Sequence, residues 1–242
     1  MKKNDLFDTN RFLITLKAES NRLKKSVLVN LVATVGILFI ISLLVSGISN
    51  IMLNFNTFFY IGLYIGSFIV AGMAFPDFRK KESTIRYLTL PASVFEKQVS
   101  QMLIVFVGYI LFYVIAFYLY WILIWGWRHI LGLDTTFFNI FDDPDLTKHF
   151  ITIWFWQSVF FLGSVWFSKS PIIKTVLIIF SVIAFLSLLD LFVITKIFFD
   201  NYTAHHGFIH SNFNIEFNSY LYYFLIPLFW VATYFKIKEK QI

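Results

Sequence analysis

Met102–Trp125 reads MLIVFVGYILFYVIAFYLYWILIW, twenty-four consecutive residues without one charged side chain. Coiled as an α-helix it would extend about 36 Å at 1.5 Å per residue, enough to cross a hydrocarbon layer of about 30 Å. Runs of the same character recur at 27–47, 57–76, 150–168, 172–195 and 219–235. Inside the six windows only Lys174 and Asp190 carry charge, each toward a window's end. That sparsity suits a bilayer, where an ionised group at a helix centre costs about 2.5–3.5 kcal/mol. Composition agrees: 58% of the chain is hydrophobic and 14% charged, against about 45–50% and about 25% in ordinary soluble domains. The expected fold is all-α: a polytopic membrane protein with six transmembrane helices over 27–235. Short termini and loops make up the rest, none long enough for a second domain.

The basic residues set the orientation. Of twenty Lys and Arg, seventeen fall in residues 1–26, in the 77–98 connection, at Lys169 and Lys174, or in the 236–242 tail; only Arg128, Lys148 and Lys196 fall on the alternate side. Basic loops stay cytoplasmic. The expectation is therefore a multi-pass membrane protein with both termini in the cytoplasm and outer loops at 126–149 and 196–217. A net charge of +6 sorted in this way points to membrane topology rather than to nucleic acid. Trp121, Trp125, Trp127, Trp154 and Trp156, with Tyr220, Tyr222 and Tyr223, all fall at the expected outer ends, where amphipathic rings favour the headgroup level. The first apolar run follows about 25 polar residues and precedes no A-x-A site, so it is expected to remain as a span. Cysteine is absent, which excludes disulfides, thiolate metal sites and cysteine nucleophiles.

Residues 9–25 form an amphipathic pattern. Asp8, Thr9 and Asn10 can cap a helix start. Phe12, Leu13, Leu16 and Leu23 share roughly one face, and Arg11, Lys17, Arg22, Lys24 and Lys25 supply cations. The expectation is an interfacial helix, apolar side in the acyl chains and charges on anionic lipid.

The inner connection 77–98 carries the most specific local signals. Pro91 disfavours helix at Leu90. Ser93 and Glu96 then make S-x-x-E, a reciprocal cap in which the serine oxygen accepts from the Glu96 amide and the glutamate reaches back. A short helix, a turn at Leu90-Pro91-Ala92 and a restart into the third span are expected. The segment Tyr87-Leu-Thr-Leu-Pro-Ala-Ser-Val-Phe-Glu-Lys97, between spans two and three of a six-span chain, resembles the permeases of type-2 ABC transporters. It is most similar to short six-span permease-like members of Bacteroidetes type. Many relatives carry an arginine soon after the serine, where this chain has Val94-Phe95-Glu96-Lys97.

The resemblance implies a permease of a bacterial inner membrane, expected to export its substrate, that acts as a homodimer or paired permease. A separate ABC ATPase would dock on loop 77–98 at Arg79, Lys80, Arg86, Tyr87, Leu88, Leu90, Pro91, Ser93, Glu96 and Lys97. ATP and Mg would then belong to that partner. This chain itself contains no G-x-x-x-x-G-K-[ST] phosphate loop, and it carries no cofactor or catalytic residue of its own in this reading.

Other features are weighed individually. Gly62 and Gly66 form G-x-x-x-G, which lets helices approach closely within one chain or between two. Pro227 interrupts span six, and Asp190 lies in the outer third of span five; both are candidates for transport or gating. No metal centre is read, the nearest approach being His206 and His210 at i, i+4 spacing, with His205 beside them. Asp142, Asp143 and Asp145 around Pro144 suit a turn better than a calcium loop. The spans, rich in Phe, Ile and Leu, suit lipid-like or peptide cargo better than small ions. Two further readings stand beside the permease: a non-transporting scaffold or immunity-type protein using the same inner loop, and an intramembrane enzyme. The enzyme reading lacks paired carboxylates and any nucleophile with a base at readable spacing.

Overall fold

The long apolar runs become helices, since each must satisfy its backbone polar groups internally where water is scarce. A computed structural model of the chain describes residues 7–48, 55–130, 132, 139–189 and 215–240. Among them the protein is about 88% helical and contains no strand. In chain order the helices are α1 (Thr9–Ile48), α2 (Phe55–Gly72), α3 (Lys81–Leu88), α4 (Val94–Met102), α5 (Tyr109–Ile130), α6 (Leu146–Trp166), α7 (Pro171–Leu189) and α8 (Ile215–Glu239). A π-helical segment, Leu103–Gly108, joins α4 to α5. The joined helix Val94–Trp127, 34 residues, and α7, 19 residues, are long and apolar enough to cross a membrane. Helix α1 adds a third if its halves, Thr9–Lys25 and Val27–Ile41, which meet at 40°, are one span. The apolar part of α2, Thr57–Gly72, falls short of that length. Six helices thus lie over the six expected windows, but they do not each meet the test for a full crossing.

Aromatic side chains build the core between α2 and α5. Phe59, Tyr109, Tyr113 and Phe117 are fully buried, and the Phe59 ring lies 5.0 Å from Phe117 and 5.6 Å from Tyr113. The Tyr113 hydroxyl donates to the Phe59 carbonyl at 3.0 Å. Gly62 and Gly66 face this seam: a Cβ at Gly62 would strike the Tyr113 hydroxyl, and one at Gly66 the Tyr109 hydroxyl. The G-x-x-x-G packing is therefore intramolecular. On the opposite side of α5, Leu111, Phe112, Ile115, Leu119 and Leu123 point out of the bundle, as do Ile173, Leu177, Phe180 and Leu186 of α7. Pro227 lies within α8 and is also exposed.

The contacts sort the connections to two ends. At one end Arg22 pairs with Asp77, Arg11 with Glu96, and Lys240 reaches the Val165 carbonyl at 2.7 Å. This is the end that carries the basic segments. At the other, Tyr60 meets Asp143, Phe155 stacks on Tyr222 with centroids 4.4 Å apart, and the Ile140 amide donates to Tyr118.

Candidate functional site

The basic end is organised around the connection from α2 to α4. A 3₁₀ turn, Pro76–Arg79, leads through extended Lys80 into α3. The Asp77 carbonyl accepts from the Ser83 and Thr84 hydroxyls at 2.8 and 2.9 Å, which fixes the turn against the first coil of α3. The chain then turns at Thr89–Ala92, and Ser93 caps α4. Both arms of the cap are present: the Glu96 amide donates to Ser93 Oγ at 3.1 Å, and the Ser93 amide to Glu96 Oε2 at 2.8 Å.

Glu96 does more than cap its own helix. Its other oxygen, Oε1, accepts from the Asp8 amide at 2.7 Å and from Arg11 Nη2 at 3.1 Å. Asp8 meanwhile caps α1 through the Asn10 and Arg11 amides. One buried carboxylate therefore joins the starts of two helices, reaching the Asp8 amide 88 residues away in the chain. Burial works against its charge, but donation from the Ser93 and Asp8 amides and from Arg11 outweighs it and holds the carboxyl below the usual carboxylate range.

A second cluster lies further along α1. Arg22 pairs with Asp77 and Glu19, and Glu19 accepts from the Gln101 amide. At Glu19 burial prevails over Arg22 and Gln101 and pushes the carboxyl up. Lys97 donates to the Leu88 carbonyl at 3.0 Å, closing the end of α3. The buried Tyr87 ring separates the two cations, with the Arg22 guanidinium 5.3 Å and the Lys97 ammonium 5.4 Å from its centroid. Three cations (Arg11, Arg22, Lys97) and three carboxylates (Glu19, Asp77, Glu96) thus form a charge-balanced clasp. Such a clasp holds α1, the Pro76–Arg79 turn, α3 and α4 as one unit.

Helix α1 packs one stripe of its surface into the bundle. Thr15, Glu19 and Leu23 are buried, whereas Leu13 is 55% and Ile14 70% exposed. Arg11 and Arg22 pair with the buried carboxylates Glu96 and Asp77, since a buried charge left without a partner is costly. Lys17, Lys24 and Lys25 remain on the outside.

The expected docking residues divide between two environments. Arg79, Lys80, Leu90 and Pro91 are exposed and Leu88 is half-buried, while Arg86 belongs to α3. Tyr87, Glu96 and Lys97 are buried in the clasp and offer no contact surface, while Ser93, half-buried, is engaged as a cap. Ile85, 64% exposed, and Phe95, 46% exposed, take their place on the outside. Arg11, Glu19, Arg22 and Asp77 were not singled out as a group. Positions 11, 15 and 19 recur at four-residue spacing, but Lys17, Ser20 and Asn21 lie among them and blur that period.

Deeper in the bundle, Gln157 is fully buried and its amide reaches the Val105 carbonyl at 3.4 Å, inside the π segment. Trp230 Nε1 donates to Ser158, and Gln98 donates to the Trp230 carbonyl at 2.7 Å. These polar links join α6, α8 and α4.

At the opposite end Tyr60 donates to Asp143 at 2.5 Å, and the Tyr64 hydroxyl lies 3.2 Å from His149 Nδ1. His149 stacks on Tyr60 with centroids 4.0 Å apart. The Tyr60 hydroxyl and the Asp145 amide hold the Asp143 carboxyl low. Asp143 therefore closes its own turn and ties it to α2, as a turn residue would. Among the described residues no three His, Cys, Asp or Glu side chains gather as a metal site. Asp190, His205, His206 and His210 lie outside the described residues.

Comparison with known proteins adds no relative: no protein family, curated protein or solved structure matches this chain.

Proposed function

We propose that the chain is the membrane subunit of an ABC-type transporter, crossing the inner membrane six times with both termini in the cytoplasm. In this reading a separate ATPase docks on the outer face of α3 and the turn that follows it. The observation that supports it best is the pairing of an exposed apolar face with a stiff backing. Ile85, Leu90 and Phe95 are exposed beside Lys81 and Glu82. Behind them the clasp ties α3 to α1 and to the long helix Val94–Trp127. Exposed apolar residues rimmed by charge are what a partner surface requires. A push on α3 would pass through Lys97 and Glu96 into α4 and α1 together, so nucleotide-driven closure of the partner would tilt those helices.

The test is affinity capture of the full chain from its native membranes, with the amount of co-purifying ABC ATPase measured. Ile85→Glu and Leu90→Glu should lower that amount by about tenfold or more, as expected when charge enters the centre of an apolar contact. ATP turnover in the captured complex should respond to a transported substrate. Undiminished ATPase capture by both variants sinks the docking assignment. Capture without substrate-linked turnover assigns the chain to the non-transporting class instead.

A further inference from the structure

Two open grooves flank Met73 and Arg79 at the basic end. The first, of about 520 Å3, is lined by Arg79, Lys80 and Lys169 on its polar side and by Met73, Pro171 and Ile173 on its apolar side. The second, of about 510 Å3, shares Met73 and Arg79 and adds Lys25, Val29 and Ile69. In the first groove the three cations are exposed, and none enters an ion pair among the described residues. No acidic residue lines it. Asp77, the acid on the same turn, is engaged by Arg22, and Glu82 lies on α3. Three like charges facing one cavity repel each other unless an anion joins them.

The apolar wall narrows the class of anion. Ile173 is 63% exposed and opens onto the outward face of α7, where Val176, Leu177 and Phe180 continue the apolar surface along the helix. A small hydrophilic anion would leave that wall bare. The turn that presents Lys169 is also held in an unusual shape: Ser170 has φ 50°, the one non-glycine residue with positive φ among the described residues. Backbone in that region is costly for a residue with a Cβ, and it tends to persist where the local geometry is used.

From this geometry we infer that the groove binds an anionic phospholipid of the adjacent leaflet. The headgroup phosphate sits among Arg79, Lys80 and Lys169, and an acyl chain lies along Met73 and α7. The inference rests on α7 lying in the bilayer and not on any ATPase partner. It moves Arg79 and Lys80 from partner docking to lipid binding.

The test uses the full chain purified in detergent, with bound lipid counted by native mass spectrometry. Phosphatidylglycerol is offered against an equal amount of phosphatidylcholine, with and without inorganic phosphate. Phosphatidylglycerol should be retained in preference, and Lys80→Gln or Lys169→Gln should each weaken that preference about fivefold, the worth of one cation near an anionic headgroup. Lys17→Gln, an exposed lysine remote from the groove, should leave it unchanged. Equal retention of the two lipids by the wild-type chain overturns the inference, and this arm needs no variant to fold. Full preference in the double variant Lys80→Gln/Lys169→Gln overturns it as well. Displacement of phosphatidylglycerol by millimolar phosphate would show a site for the free anion and not for lipid. ATPase capture by Lys169→Gln is expected to be normal, so failure here and failure of the docking reading are separable.

Discussion

Single residues decide whether two spans can touch. Gly66 presses against the Tyr109 hydroxyl, which is buried and makes no hydrogen bond among the described residues. Gly66→Ala should destabilise the detergent-solubilised chain by about 1–3 kcal/mol, the usual cost of overpacking. Tyr109→Phe removes a buried hydroxyl without a partner and should by itself be neutral or slightly stabilising. Combined, Tyr109→Phe should recover much of the Gly66→Ala loss, because it removes the atom nearest the added methyl. Strictly additive losses in thermal unfolding would mean that the two residues do not meet. The glycine spacing was legible from Gly62 and Gly66. Which helix fills the notch was not, because tyrosines 51 and 43 positions away carry no local mark of where they point.

Elements are joined here by charge at their ends. Glu96 has a depressed folded pKa, so its ionised form stabilises the joint between α1 and α4. That contribution is fully present above the unfolded value of 4.5 and is lost as pH falls through the lower folded value. Glu19 has the opposite sign. Its raised pKa means its contribution is present below 4.5 and lost as pH rises through the folded value. Glu96→Gln should therefore cost about 3 kcal/mol at pH 7, in the range for breaking a buried ion pair, with the gap to wild type narrowing below pH 4.5. Glu19→Gln should cost less at pH 7, since burial opposes the charge that Arg22 and Gln101 stabilise. Melting curves from pH 7 down to about pH 2 check both. A Glu96→Gln deficit that stays constant over that range would sink the linkage. The cap formed by Ser93 and Glu96 could be seen in advance because its partners are three residues apart. The further bonds from Glu96 to Asp8 and Arg11 could not.

At the scale of the whole molecule, every basic segment gathers at one end. The chain has no native cysteine, so single cysteines report sidedness without background. Lys81→Cys and Lys238→Cys should react with an impermeant maleimide only from the cytoplasmic side, and Phe141→Cys only from the opposite side. All three are exposed positions. Labelling of Lys81→Cys and Phe141→Cys from the same side would break the alternation on which six crossings rest. Periodicity and charge sorting were enough to locate the six helical windows, and Pro91 the turn before α4, because each depends on neighbours within a few residues and on the solvent around them. Only the tertiary structure decided that α1 turns Arg11, Glu19 and Arg22 inward, that Tyr87 and Lys97 are core rather than surface, and that Arg79 meets Lys169 across a groove. Those outcomes depend on which distant charges and rings share a cavity, and pairings across tens of residues leave no period in the chain.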